Sequence, residues 1–177
     1  MDAAIETILS NTFTDSDVYK RLAILQDALE HSLYTTNAKT SLRDMLAERY
    51  VGSDDRTSLD AIAAWGEAVV SLFHSGDIGK HMDALKKSIA AVPSITLYVA
   101  APMPAAAMNE IGAWCRQNID PHVLIDLKID RSSAGGCMLV WKNTLHDFSM
   151  RYFLHKHEKE LADLLHGNKH VVVDADI

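Results

Sequence analysis

Apolar positions in the first half of the chain recur at helical spacing. Ile5, Ile8 and Leu9 mark a short first segment. Val18, Leu22, Leu25, Leu29 and Leu33 follow at steps of four, three, four and four, which places them on one face of an amphipathic helix. Thr14, with Asp17 three residues later, predicts the cap of that helix, because its hydroxyl can accept an otherwise unpaired backbone N–H. Leu42, Met45, Leu46 and Tyr50 predict a third helix ending at Gly52, where glycine tolerates the positive φ of a helix end. Ile62, Trp65, Val69, Leu72 and Phe73 predict a fourth helix. Ile78, Met82, Leu85 and Ile89 predict a fifth, after the break "HSGD". Short connections between amphipathic helices imply an antiparallel helical bundle over residues 1–91.

The period changes at Pro93. Ile95, Leu97 and Val99 alternate with Thr96, Tyr98 and Ala100, the two-residue repeat of a strand. Pro102 and Pro104 stop it, and Pro104 suits the first turn of a helix carrying Met108, Ile111, Trp114 and Cys115. "PHVLIDLKID" and "GCMLVW" read as two further strands, and Lys142-Asn143 as a tight turn into "TLH". Asp147 or Ser149 can then cap a terminal helix with the stripe Met150, Leu154, His157, Leu161 and Leu164. The expected fold is α+β, with the N-terminal bundle followed by a small βαββ(β)α domain over residues 93–177. Its last residues, "HGNKHVVVDADI", read as a tail or an added edge strand.

Composition narrows the function classes. With 48% apolar and 23% charged residues over 177 positions, the chain reads as an ordinary globular protein. Residues 1–92 hold 14 acidic against 9 basic side chains, and residues 93–177 hold 10 against 8, so no basic face points to a nucleic acid. "MDAAIETILSNTF" lacks the basic flank and longer apolar core of a signal peptide. No apolar run approaches the ~20 residues that span a bilayer. The expectation is therefore a cytoplasmic protein that reaches a membrane only through a partner. Cys115 and Cys137 have no partner at metal-ligand spacing and read as reduced packing residues.

The most pointed stretch is "IDRSSAGGCMLVWKNTLHDFSMR". A phosphate loop needs backbone N–H groups converging at a helix N-terminus, usually with a lysine in the glycine-rich segment. Here Gly135 and Gly136 precede an apolar strand, and the next lysine is Lys142 in the turn beyond it. Cys137 could act as a nucleophile only with a histidine placed against it in space. The structural reading is favoured: paired glycines let a strand begin in a bulged conformation and let another backbone approach closely.

In order and spacing, residues from Ile95 to about Leu165 resemble the C-terminal domain of the delta subunit of F-type ATP synthases, the family of the mitochondrial oligomycin-sensitivity-conferring protein. The residues that carry the resemblance are "LYVAAPM", Asp130, the pair Gly135 and Gly136, and Asp147 with Ser149 at the start of the last helix. Phe148 stands where the family usually has glycine, Ala134 where it has leucine or isoleucine, and "SGDIGK" where it carries Asn-Gly-Arg. The resemblance implies a non-catalytic stator subunit of the peripheral stalk. Its N-terminal bundle would bind the N-terminal helices of the alpha subunits, and its C-terminal domain would meet the membrane-anchored b subunits. It implies no catalytic residue, no cofactor and no metal, with Asp130, Gly135, Gly136, Asp147 and Ser149 as a structural motif. The rivals are a stand-alone helical adaptor and, third, a small enzyme using Cys137.

The remaining features have plain readings. His155 and His157 sit two residues apart, about 200° around a helix, so they do not converge as zinc ligands, and His166 and His170 read as helix-end or solvated residues. Trp65, Trp114 and Trp141 read as core or interface anchors, and Asp54 with Asp55 as a solvated loop. Phosphate-loop, dinucleotide-binding, metalloprotease and serine-hydrolase signatures are absent from the sequence.

Overall fold

A computed structural model describes residues 2–34, 41–52, 55–73 and 77–166. The protein is α+β. Helices α1 (Asp2–Ser10), α2 (Asp15–Ser32), α3 (Leu42–Arg49), α4 (Arg56–Val70) and α5 (Ile78–Ala90) come first. Strand β1 (Ser94–Val99), helix α6 (Ala105–Asn118) and strands β2 (Leu124–Ile129), β3 (Gly136–Trp141) and β4 (Thr144–Ser149) follow, then helices α7 (Met150–Lys156) and α8 (Glu158–Leu165). The "HSG" of the break before α5, Asp54 and the whole of 167–177, His170 included, lie outside the described residues.

Contacts divide the chain into two compact units, Met1–Ser94 with Pro104–Asp126 and Ile95–Met103 with Leu127–Ile177. The first takes in the helices that precede Pro93 and also α6, which the sequence places on the far side of that proline. Its core is built from the expected periodic positions: Ile8, Val18, Leu22, Leu25, Ile62, Trp65, Val69, Met82, Leu85 and Ile89 are buried together. Each such side chain contributes about 1.5 to 3 kcal/mol by leaving water. Thr14 caps α2, accepting the Asp17 N–H at 3.1 Å while its own hydroxyl donates to the Asp17 carboxylate at 2.8 Å. Asp77 caps α5 by accepting the N–H groups of Gly79 and Lys80.

Two helical readings are corrected by geometry. The α2 stripe ends at Leu29, because the helix stops at Ser32 and leaves Leu33 exposed. The fourth helix does not run evenly to Phe73. Gly66 interrupts it with φ 54° and ψ −148°, and Ser71–Phe73 tighten into a 3-10 turn.

Between α1 and α2 the chain passes through a polar junction. Asn11 donates to the Ala61 carbonyl and accepts from the Trp65 indole N–H, both at 2.9 Å. Arg21 donates to the Asn11 carbonyl and to the Thr12 hydroxyl. Arg116, from α6, donates to the carbonyls of Leu9, Thr12 and Val123. Such pairing matters because a buried carbonyl left without a donor costs about 1 to 3 kcal/mol.

The strands form one sheet in the order β2-β1-β3-β4. β1 and β3 are antiparallel with Leu97 opposite Leu139, and β3 and β4 are an antiparallel hairpin with Trp141 opposite Thr144. β2 runs parallel to β1: Leu124 N–H donates to the Pro93 carbonyl at one end, and Asp130 N–H to the Val99 carbonyl at the other. Lys142 and Asn143 have φ of 46° and 65°, the paired positive values of a tight hairpin turn. The expected "TLH" strand is longer than its sequence pattern suggests, so Asp147 lies within β4 opposite Met138. The single terminal helix is also corrected. His157, at φ −106° and ψ 21°, breaks it into α7 and α8, and neither buries a residue.

Candidate functional site

The motif residues come together around the β3–β4 hairpin, each held for a conformational reason. Asp130 follows β2 and caps the 3-10 turn Arg131–Ser133, accepting the Ser132 N–H at 2.9 Å and the Ser132 hydroxyl at 2.7 Å. Those bonds, with the Arg151 charge a lesser cause, hold its carboxyl below the usual range. Ala134, Gly135 and Gly136 then take φ of 58°, 141° and 72° in succession, which turns the chain back into β3. A Cβ on Gly136 would lie 2.3 Å from the Phe148 carbonyl oxygen, whereas one on Gly135 would meet only the Met150 Cβ at 3.8 Å. The Gly135 carbonyl accepts the Met150 N–H at 2.9 Å, fixing the first residue of α7.

Of the two expected cap residues, Ser149 is the cap. Its buried hydroxyl accepts the Tyr152 N–H at 3.2 Å. Asp147 acts one step earlier, accepting the Ser149 N–H at 2.9 Å and so setting the backbone from which α7 starts. Asp130, Ser132, Met138, Asp147, Arg151 and His155 line a cavity of about 510 Å³ beside this turn.

Cys137 pairs across the strands with Val99 and Phe148. Burial, reinforced by the Asp147 carboxylate, pushes its thiol pKa up. That lowers the thiolate fraction, opposite to what a nucleophilic cysteine requires. Among the described residues, no three His, Cys, Asp or Glu side chains are grouped to hold a metal ion. His155 and His157 instead face Glu158 and Glu160, at 3.7 and 2.8 Å.

The feature that the sequence reading missed lies just beyond the cap. Met150, Phe153 and Leu154 stand at i, i+3 and i+4 on one face of α7, and Leu161, Leu164 and Leu165 repeat the spacing on α8. The periodicity was legible, but a stripe of this kind ordinarily signals a buried face. Here Phe153 is 53% exposed, Leu154 46% and Leu164 56%. Phe148, at the position where the family of the resemblance has glycine, is also exposed on β4. Only Trp65 of the three tryptophans is a core residue, and Trp114 faces solvent. No helix among the described residues is long and apolar enough to cross a membrane.

No protein-family model matches the chain, and no curated protein matches it.

Proposed function

We propose that this chain is a non-catalytic, delta-like subunit of the peripheral stalk of a rotary F-type ATP synthase. In this reading the helical unit is an antiparallel bundle that receives the N-terminal helices of the alpha subunits. The βαββ(β)α domain meets the b subunits, and through them the complex is associated with the membrane. The work is mechanical: it holds the catalytic head against the turning rotor.

The observation that carries the reading is the open apolar stripe on α7 and α8. An amphipathic helix normally covers such a stripe with its own core, and a stripe left exposed supplies the anchors that a partner's helix buries on docking. The Gly135, Asp147 and Ser149 part of the motif supports it indirectly, since its hydrogen bonds start α7 at a fixed place. The raised Cys137 pKa weighs against the enzymatic rival.

A stand-alone helical adaptor is the second reading, favoured by Phe148 at the family's glycine position. The two separate on partner choice. Purified b subunits should be retained by the full chain, and Phe153→Asp with Leu154→Asp should abolish retention while leaving alpha-subunit binding in place. Equal retention of b by the double variant would remove the stripe from the account.

A further inference from the structure

A second surface, in the helical unit, combines an apolar floor with a charged rim. Arg43, Leu46 and Ala47 share one face of α3 at i, i+3 and i+4, and Arg56, Leu59, Asp60 and Ala63 share one face of α4 at i, i+3, i+4 and i+7. Together they line an open groove of about 250 Å³. Leu46 is buried beneath it and Leu59 is half-buried, so the floor is apolar, while Ala47 and Ala63 leave room for an incoming backbone. From Arg56 to Ala63 the groove follows α4 for roughly 10 Å, at 1.5 Å per residue, which is the contact length of about two helical turns.

The charges on its rim select the occupant. Lys20, Arg49 and Lys80 of the same unit each pair with an aspartate, at 2.5, 3.0 and 3.8 Å. Arg43 and Arg56 form no ion pair among the described residues, although Arg43 lies on the same helix as Arg49. With Asp60 as the only acid in the lining among the described residues, that described rim is net cationic on a chain whose overall charge is −7. We infer that the α3–α4 groove is a docking site for one amphipathic helix whose apolar stripe is bordered by carboxylates. The leucine floor takes the apolar anchors, and the two guanidiniums take the flanking acids in charge-assisted hydrogen bonds. A basic helix of the same apolar pattern is repelled, so the rim sets specificity as well as affinity. This deepens the stator reading, resting on the helical unit as a receptor for a partner's helix.

The test uses the full chain and a panel of labelled 18-residue helical peptides. Each has leucines at i, i+3, i+4 and i+7, bordered by Glu, by Gln or by Lys, and binding is read by fluorescence anisotropy. The Glu peptides should bind, and binding should weaken about tenfold or more with the Gln twins or with Arg43→Gln/Arg56→Gln, as expected for lost charge-assisted contacts. The charge-reversed chain, Arg43→Glu/Arg56→Glu, should lose the Glu peptides and gain the Lys ones. Both arginines are exposed, so circular dichroism should show unchanged folding in each variant. Failure of every Glu peptide to bind, or binding indifferent to both arginine pairs, overturns the proposal. A chain that binds Glu peptides through the arginines yet captures neither alpha nor b subunits would sink the stator reading and leave the groove standing.

Discussion

The Arg116 guanidinium stacks over the Phe13 ring, 4.4 Å from its centre, while its N–H groups reach the carbonyls of Leu9, Thr12 and Val123. Burial lowers its pKa to about 10, so it stays charged at neutral pH. The charge is made tolerable by the carbonyl oxygens and the ring face around it. Gly112, one turn earlier on α6, makes room for the same ring: a Cβ there would sit 2.6 Å from three Phe13 carbons.

Gly112→Ala should therefore destabilise the protein by about 1 to 3 kcal/mol, the usual cost of overpacking. Arg116→Ala should cost on the order of 3 kcal/mol, because it removes the side-chain donor from the buried Thr12 and Val123 carbonyls. Urea denaturation midpoints check both. A chain ending at residue 91 loses α6 and this contact, so it should melt below a chain that ends at residue 126.

At the glycine pair the two positions should behave differently. A side chain on Gly136 meets the Phe148 carbonyl and must also adopt φ 72°, whereas Gly135 carries only the backbone strain. Gly136→Ala should cost on the order of 3 kcal/mol and Gly135→Ala about 1 kcal/mol. Equal midpoint shifts would show that the close approach to β4 is not what requires glycine.

Ser149→Ala should cost about 0.5 to 2 kcal/mol, the range for a lost helix cap. Ser149→Thr should recover part of it, since the hydroxyl acceptor returns. Amide hydrogen exchange at Tyr152 reads the cap directly, and it should quicken in the alanine variant alone.

These contrasts also show what the sequence could and could not display. The Thr14 cap, the Lys142-Asn143 turn and the α2, α4 and α5 core faces follow from local spacing, and local forces decide them. The break at His157 and the exposure of Phe153 and Leu154 do not, because periodicity reports that a face is apolar and is silent on what covers it. Arg116 and Gly112 were invisible for a related reason. Nothing in their own segment marks them, and their roles come from Phe13, about a hundred residues away. The α3–α4 groove needs both helices in place before Arg43 and Arg56 can be seen to share a rim.

The pH dependence should carry one signature on each side of neutrality. Asp27 accepts from Arg49 at 3.0 and 3.3 Å and from the Tyr50 hydroxyl at 2.7 Å, and these bonds depress its pKa. Its contribution is present above the ordinary carboxyl value of about 4 and is lost as pH falls through the depressed one. Tyr50, by burial first and the Asp27 bond second, is raised to about 12. Its contribution is present below about 10 and is lost as pH rises through its raised value. In melts across pH 2 to 12, Asp27→Asn should make the acid limb shallower and reduce the alkaline one. Unchanged limbs in that variant would detach the triad from stability.

A subunit that joins two different partners should hold both at once, and a bridging assay reads that joint occupancy. Alpha subunit is immobilised, b subunits are supplied in solution, and b retained on the surface is measured with and without this chain. The b subunits should be retained only when the chain is present, in proportion to the amount bound, and Phe153→Asp/Leu154→Asp should leave the chain on alpha but release b. Retention of b without the chain, or a chain that binds one partner and excludes the other, would contradict the stator reading.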